Sequence, residues 1–211
     1  VGVMIRNIFF DMGGVLVPLN KERTLKAFGE LGVSTFADYL NPYLQKGFFA
    51  KFENGDISAA EFRNCVREIS SRKNISDEAI DHALNLFLDP IPAEREAMLR
   101  ELKEMYRLFL LSNNNPISIA SISRTFRENY GYEFNELFIE MFCSYRMNMS
   151  KPSKEIFLRA LEIAGADSSQ TLFIDDSAAN IRAAEELGFI TCLYDVDAPF
   201  AEQVRRALSN G

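Results

Sequence analysis

The sequence predicts an α/β fold: a parallel sheet with helices on both faces, interrupted near its start by a small all-α insertion. Three observations carry this. Ile5, Ile8, Phe9 and Phe10 form a short apolar run broken by Asp11 and then by Gly13-Gly14, the pattern of a buried strand ending in a tight turn. From Pro90 onward, strand-like and helix-like stretches alternate, which implies right-handed crossovers and a parallel sheet. Between Asn20 and Asp89 the apolar spacing is helical and no strand is expected. A length of 211 residues suits one domain with a sizeable insertion better than two independent domains.

Taken in order, the insertion shows helical spacing at Leu25, Phe28 and Leu31, then at Phe62, Cys65, Val66 and Ile69, then at Ile80, Leu84, Phe87 and Leu88. Ser58-Ala59-Ala60-Glu61 is a capping box opening the middle of these helices, and Asn54-Gly55-Asp56 before it is a turn. Next come a helix with Met98, Leu102 and Met105, a strand at Leu108 to Leu111, and a helix with Ile119, Ile122 and Phe126. A strand near Phe142 to Ser144 follows, then a helix with Phe157, Ala160, Leu161 and Ala164 after Pro152. A strand at Thr171 to Ile174, a helix from Ala178 to Leu187, a strand at Ile190 to Leu193 and a helix with Phe200, Val204 and Leu208 close the chain. The expected division is a core of residues 1–18 and 90–211, with the helical insertion at 19–89.

Composition narrows the chemistry. Hydrophobic residues at 47% and charged residues at 25% are those of a chain that builds a core, not a disordered one. With 23 Lys+Arg against 30 Asp+Glu the net charge is −7, which repels a nucleic-acid duplex. Cys65, Cys143 and Cys192 lie far apart with no C-x-x-C pair, so neither a disulfide framework nor a zinc knuckle is expected, and a reducing cytoplasm fits. The single histidine, His82, reads as structural, leaving no imidazole for a triad or a His-rich metal site. Apolar runs such as Leu108 to Leu111 fall far short of the roughly 20 residues a bilayer requires, and no signal-peptide design opens the chain. Chemistry must then come from carboxylates, hydroxyls, amides and lysine.

Those groups gather at the predicted strand ends: Asp11-Met12-Gly13-Gly14, Ser112-Asn113-Asn114-Asn115 and Asp175-Asp176-Ser177, with Lys151-Pro152 before the helix that follows the third strand. In a parallel sheet, ligands bind beyond the carboxyl ends of the strands. Taken singly, each motif is also explained by a cap, a turn or a solvated charge. Together they place three carboxylates on one rim, and like charges so placed repel by several kcal/mol at an effective dielectric of about 20. Oxygen ligands without His or Cys point to Mg²⁺. Asp11, Asp175 and Asp176 contribute −3, and Lys151 with Mg²⁺ contributes +3, leaving a neutral site able to accept a phosphate dianion.

The order of strand-end Asp, then Ser, then Lys, then an acidic pair, with a helical insertion after the first, resembles the haloacid dehalogenase superfamily of phosphotransferases. The matching segments are FFDMGGVL, LLSNN, SKP and FIDDS, the last followed by Asn180, and they span essentially the whole chain. FENGDISAAEF and SKPSKEIF resemble the branch containing glucose-1-phosphate phosphatases. The resemblance implies a Rossmann-like core, a helical cap and Mg²⁺-dependent hydrolysis of a small phosphorylated metabolite, with a sugar phosphate the leading candidate. It further implies Asp11 as nucleophile and metal ligand, with the Gly13 carbonyl, Asp176 and Asp175 completing the metal site. Ser112, Asn113 and the amide of Met12 would donate to phosphoryl oxygens, and Lys151 would neutralise nucleophile and phosphate.

One departure matters: most phosphatases of this family carry an Asp two residues after the nucleophile as general acid and base, and here that position is Gly13. Losing such help commonly costs about 10²- to 10⁴-fold. Either the substrate has a leaving group that needs little protonation, or another group, such as one from the insertion, supplies the proton, or the protein is a slow or inactive phosphate-binding member. A phosphomutase is disfavoured because its chemistry leans on the missing acid. A 2-haloacid dehalogenase is disfavoured by the Asp175-Asp176 pair, and a signalling receiver domain by the order of the motifs. The insertion is expected to close over the site and exclude water. Phe48, Phe49 and Phe52 with Lys46 and Lys51 are candidates to line that cleft, although a Phe stripe in a small helical unit more often forms its core.

Overall fold

The computed structural model describes residues 4–40 and 47–210. Its strands β1 (Asn7–Phe10), β2 (Arg107–Ser112), β3 (Glu140–Cys143), β4 (Thr171–Asp175) and β5 (Ile190–Leu193) form a parallel sheet in the order β3-β2-β1-β4-β5. The helices are α1 (Lys21–Glu30), α2 (Gly47–Glu53), α3 (Ala59–Ile69), α4 (Asp77–Asn85), α5 (Ala93–Lys103), α6 (Pro116–Tyr130), α7 (Ser144–Met147), α8 (Lys154–Ala164), α9 (Ala178–Glu185) and α10 (Phe200–Asn210).

Side chains alternate across a strand, and both faces of this sheet are covered, so β1 and β4 are buried at every position. Ile8, Phe10, Leu108, Leu110, Leu172 and Ile174 pack with apolar residues of α5, α6 and α10 on one face. Phe9, Phe109, Leu111, Phe142 and Phe173 pack with α8 and α9 on the other, where Phe9 lies 4.9 Å from Phe109 between ring centres. This is the two-sided parallel architecture the alternation predicts.

Helices α1 to α4 build a separate apolar cluster around Phe28, Phe36, Phe49, Phe52 and Phe62, joined from the core by Ile117 of α6. The chain leaves and re-enters the core through a narrow neck. There Asn20 N–H donates to the Phe87 carbonyl at 2.7 Å, Asp89 N–H donates to the Pro18 carbonyl at 2.9 Å, and Leu19 and Leu88 form an antiparallel bridge. The side chain of Asn20 caps α1, and that of Arg23 pairs with Asp89. The capping box of Ser58 and Glu61 forms as expected.

Some details differ from the sequence reading. β3 begins at Glu140, because its register pairs Glu140–Cys143 with Phe109–Ser112, and Ser144 instead opens the short helix α7. α9 stops at Glu185, followed by Gly188 in the left-handed region. Phe49 and Phe52 are core residues of the helical insertion, Lys51 and His82 are exposed, and Lys46 lies outside the described residues. No helix among the described residues is long and apolar enough to cross a membrane.

Phe173 sits in β4 two residues before Asp175, fully buried against Phe157 and Phe189. Phe173→Ala is expected to lower unfolding stability by about 3–5 kcal/mol, measured by urea denaturation.

Candidate active site

Register brings the acids together. Phe10 of β1 pairs with Leu110 of β2 and Ile174 of β4, so Asp11 emerges between the ends of those two strands, and its N–H donates to the Ile174 carbonyl at 2.9 Å. The chain runs from β1 to β2 on one side and reaches β4 on the other, which makes this the switch point of the sheet.

Lys151, in the segment between α7 and α8, inserts its ammonium between two carboxylates. Nζ lies 3.0 Å from Asp11 Oδ1 and 2.5 Å from Asp175 Oδ2, in a side chain almost fully buried. The Asn113 side chain fixes the lysine's backbone, donating from Nδ2 to the Lys151 carbonyl at 2.9 Å and accepting from the Lys151 N–H at 2.8 Å. Asp175, fully buried, also accepts from the Ser177 N–H at 2.8 Å and from Asn180 Nδ2, 3.0 Å from each oxygen. Its two oxygens are therefore committed to donors inside the protein. The expectation that Asn113 donates to a phosphoryl oxygen meets a side chain turned toward Lys151. The Met12 N–H likewise donates to Asp11 Oδ1 at 2.7 Å. Ser112 ends β2 in a buried position, its hydroxyl donating to the Asn113 carbonyl at 3.5 Å.

Asp176 is the more open member of the acidic pair and lies against Gly14. A Cβ at Gly14, whose φ is +82°, would stand 2.3 Å from Asp176 Oδ2. Glycine at 14 therefore supplies both the left-handed turn and the space in which that carboxylate sits. Carboxylate oxygens of Asp11, Asp175 and Asp176 all lie within 4.8 Å of one another.

The electrostatics show what this cluster lacks. Burial is the main force raising the Asp11 carboxyl to about 6; Lys151 opposes it and Asp175 adds to it. Burial, together with Asp11 and Asp175, raises Asp176 to about 7. Against three carboxylates Lys151 supplies one positive charge, so a hard divalent cation on oxygen ligands fits both the donor set and the missing charge.

A cavity of about 170 Å³ opens onto this rim. The core lines it with Asp11, Gly13, Lys151, Asp176, Asn180 and a row of short polar residues that includes Asn115 and Ser118. The roof comes from Leu19, Phe49, Ala50, Leu84, Phe87 and Leu88, and one further side chain there is polar, that of Glu53 at the end of α2. Burial, assisted by Asp11, raises the Glu53 carboxyl to about 8. Sequence reasoning passed over Glu53 and left Asn180 without a role. Asn180 had a local signal, five residues after Asp175, whereas the placement of Glu53 depends on how α2 packs across the core.

A parallel sheet with a carboxylate cluster and a buried lysine at its switch point, roofed by an inserted helical unit, defines a phosphoryl-transfer class of α/β hydrolase. The profile of the haloacid dehalogenase-like hydrolases matches residues 5–188, and the chain belongs to that family. It is 32% identical over 188 residues to D-ribitol-5-phosphate phosphatase of Bacteroides thetaiotaomicron, covering 89% of this chain and 91% of the relative. The wild-type structure of a family enzyme from B. thetaiotaomicron, in complex with magnesium and inorganic phosphate, superposes with a TM-score of 0.88 at 35% identity, covering 94% of this chain and 98% of that one. A HAD-like family hydrolase from Porphyromonas gingivalis superposes with a TM-score of 0.90 at 36% identity, over 97% and 98%. These relatives lend no support to the narrower likeness to glucose-1-phosphate phosphatases.

Because Asp11 and Asp176 keep protons that the unfolded chain has lost, the cation-free fold binds more protons than the unfolded state, and its stability falls as pH rises from about 4 to about 7. Mg²⁺ held by these carboxylates would displace those protons, so its stabilising effect would grow over the same window. The rise in Tm on adding Mg²⁺ is expected to be larger at about pH 8 than at about pH 5.5, as read by thermal denaturation. Gly14→Ala is expected to weaken Mg²⁺ affinity at least about tenfold by pushing Asp176 aside, an effect of about 1.4 kcal/mol measurable by calorimetry.

Proposed function

We propose that this magnesium-dependent phosphatase hydrolyses the phosphomonoester of a small polyol or sugar, through an aspartyl phosphate on Asp11. The observation that carries the reading is the buried ammonium of Lys151 held between Asp11 and Asp175, with Asp176 beside them. The chain's likeness to a D-ribitol-5-phosphate phosphatase supports the substrate class, as does the row of short polar side chains on the core wall of the cavity.

Asp11, the Gly13 carbonyl and Asp176 would hold the ion, with Asp175 behind them orienting Lys151; when bound, Mg²⁺ supplies positive charge to the phosphoryl oxygens. The Met12 N–H and Lys151 hold Asp11 Oδ1 and so fix the plane of the attacking carboxylate. The carboxylate attacks phosphorus in line, the bond to the leaving oxygen breaks, and water then hydrolyses the acyl phosphate. Ser112 donates to a phosphoryl oxygen, and Lys151 balances the charge carried by nucleophile and phosphate. Asn113 serves by positioning Lys151 through its backbone. Asn180 positions Asp175 by donating from Nδ2 to its carboxylate.

Residues 19–89 act as the cap, joined to the core at the neck of Pro18–Asn20 and Phe87–Asp89. Their apolar underside keeps bulk water from the acyl phosphate. A reducing, cytoplasmic setting suits three cysteines that carry no disulfide. A haloacid as substrate is disfavoured, because its carboxylate would add to the three already clustered at the site.

Phosphate release from a panel of polyol, sugar and acyl phosphates, with Mg²⁺ and with chelator, tests this reading. Asp11→Asn is expected to reduce turnover to background while leaving Tm within a few degrees. Retained activity would remove Asp11 as nucleophile. Lys151→Ala is expected to lower kcat/KM by about 10²- to 10³-fold.

A further inference from the structure

The nucleophile lies two residues before a glycine, and nothing at that glycine donates a proton. Crowding does not impose the choice: a Cβ at Gly13 would touch only the Leu19 side chain, at 3.5 Å and beyond. A polyol or sugar leaves as an alkoxide, a poor leaving group without protonation, so the proton must come from elsewhere in the cavity.

Among the described residues the roof offers one group. Among the described cap residues that line the cavity, all but Glu53 are apolar, and Glu53 ends α2 facing the cavity that Asp11 and Asp176 also line. Its backbone is tied to the core rather than to the cap alone. The Ser144 hydroxyl donates to the Glu53 carbonyl at 2.5 Å, and the same hydroxyl accepts from the Asn114 N–H at 3.0 Å. Asn148 Nδ2 donates to the Asn54 carbonyl at 3.2 Å, and the Ser150 hydroxyl to Asn54 Oδ1 at 2.9 Å. Gly55, at φ +78°, passes so close to the Tyr145 carbonyl that a Cβ would stand 2.2 Å from its oxygen. Three successive cap residues are thus held by the core segment 144–150, which leads directly into Lys151.

We propose that Glu53 is the catalytic acid and base of this enzyme, replacing from the cap the group that position 13 lacks. The inference rests on the phosphatase chemistry at Asp11. As the Asp11 carboxylate forms its bond to phosphorus, the bond to the substrate oxygen breaks, its electron pair stays on that oxygen, and the Glu53 carboxyl gives it a proton. The Glu53 carboxylate then takes a proton from the attacking water as the bond between phosphorus and Asp11 breaks, returning both residues to their starting states. A carboxyl raised to about 8 by burial and by Asp11 enters the first step protonated at neutral pH.

The test compares D-ribitol 5-phosphate, whose alkoxide needs a proton, with p-nitrophenyl phosphate, whose phenolate departs without one. Glu53→Gln is expected to lower kcat/KM for the polyol phosphate by about 10²- to 10⁴-fold and that for the aryl phosphate by less than about fivefold. With the aryl substrate the variant should also give a burst of p-nitrophenolate equal to the enzyme present, followed by slow turnover, because water attack has lost its base. An equal fall for both substrates without a burst would show a structural role and overturn the proposal. An unchanged ratio at wild-type rates would overturn it as well. Failure of the phosphatase reading itself looks different: the wild-type protein would turn over neither substrate with Mg²⁺, or Asp11→Asn would turn over both.

Discussion

Two buried carboxylates paired with one buried ammonium, and a third, half-buried carboxylate beside them, set the terms for the rest of this molecule. At about 4 Å and an effective dielectric of about 20, each like-charged pair costs about 4 kcal/mol, and burial adds a desolvation cost that only well-placed donors offset. The fold supplies those donors to Asp175 most fully, through Lys151, Asn180 and the Ser177 N–H. It supplies fewer to Asp11 and Asp176, and the pKa values of those two carboxyls rise accordingly. The site is thus graded from a structural carboxylate at its base to electrostatically unsatisfied ones at its mouth, where a cation would meet them.

This grading depends on register. A one-residue slip of β4 against β1 would turn Asp175 toward the opposite face and bury an apolar side chain at the rim. The apolar alternation of Phe9, Phe109 and Phe173 on one face, and of Ile8, Leu108 and Leu172 on the other, prevents that slip. The packing of the sheet's phenylalanines, Phe9, Phe109, Phe142 and Phe173 among them, is in this sense part of the chemistry, because it holds the strand ends level.

Much of this was legible in the chain because the signals are local. A buried parallel strand reads as a short apolar run, and the residue that ends it is the residue at the rim, so Asp11, Ser112 and Asp175-Asp176 declared themselves together. What escaped was tertiary. That Asn113 turns to the Lys151 backbone follows from a loop 38 residues away. That Glu53 reaches the cavity follows from helix packing and from a clamp between residues 53–55 and 144–150, which no periodicity in either segment encodes. The short helices α2 and α7 meet at that clamp, and neither is long enough to give a clear helical period.

Moving the acid from position 13 to the cap changes what the cap does. A core-borne acid works wherever the cap stands, whereas Glu53 faces the leaving group only while the turn at Asn54-Gly55 is seated on Ser144, Asn148 and Ser150. Besides the apolar contact at Ile117, the described residues hold the cap to the core at the neck of Pro18–Asn20 and at this clamp, and these two differ in kind. The neck is main-chain pairing, while the clamp runs through side-chain amides and hydroxyls that water can replace at small net cost. Proton delivery is thereby tied to the seated state, in which the apolar roof also excludes bulk water from the acyl phosphate. The glycine two residues after the nucleophile, which looks like a loss when the sequence is read alone, thus leaves the proton to a residue whose place is set by the contact between cap and core.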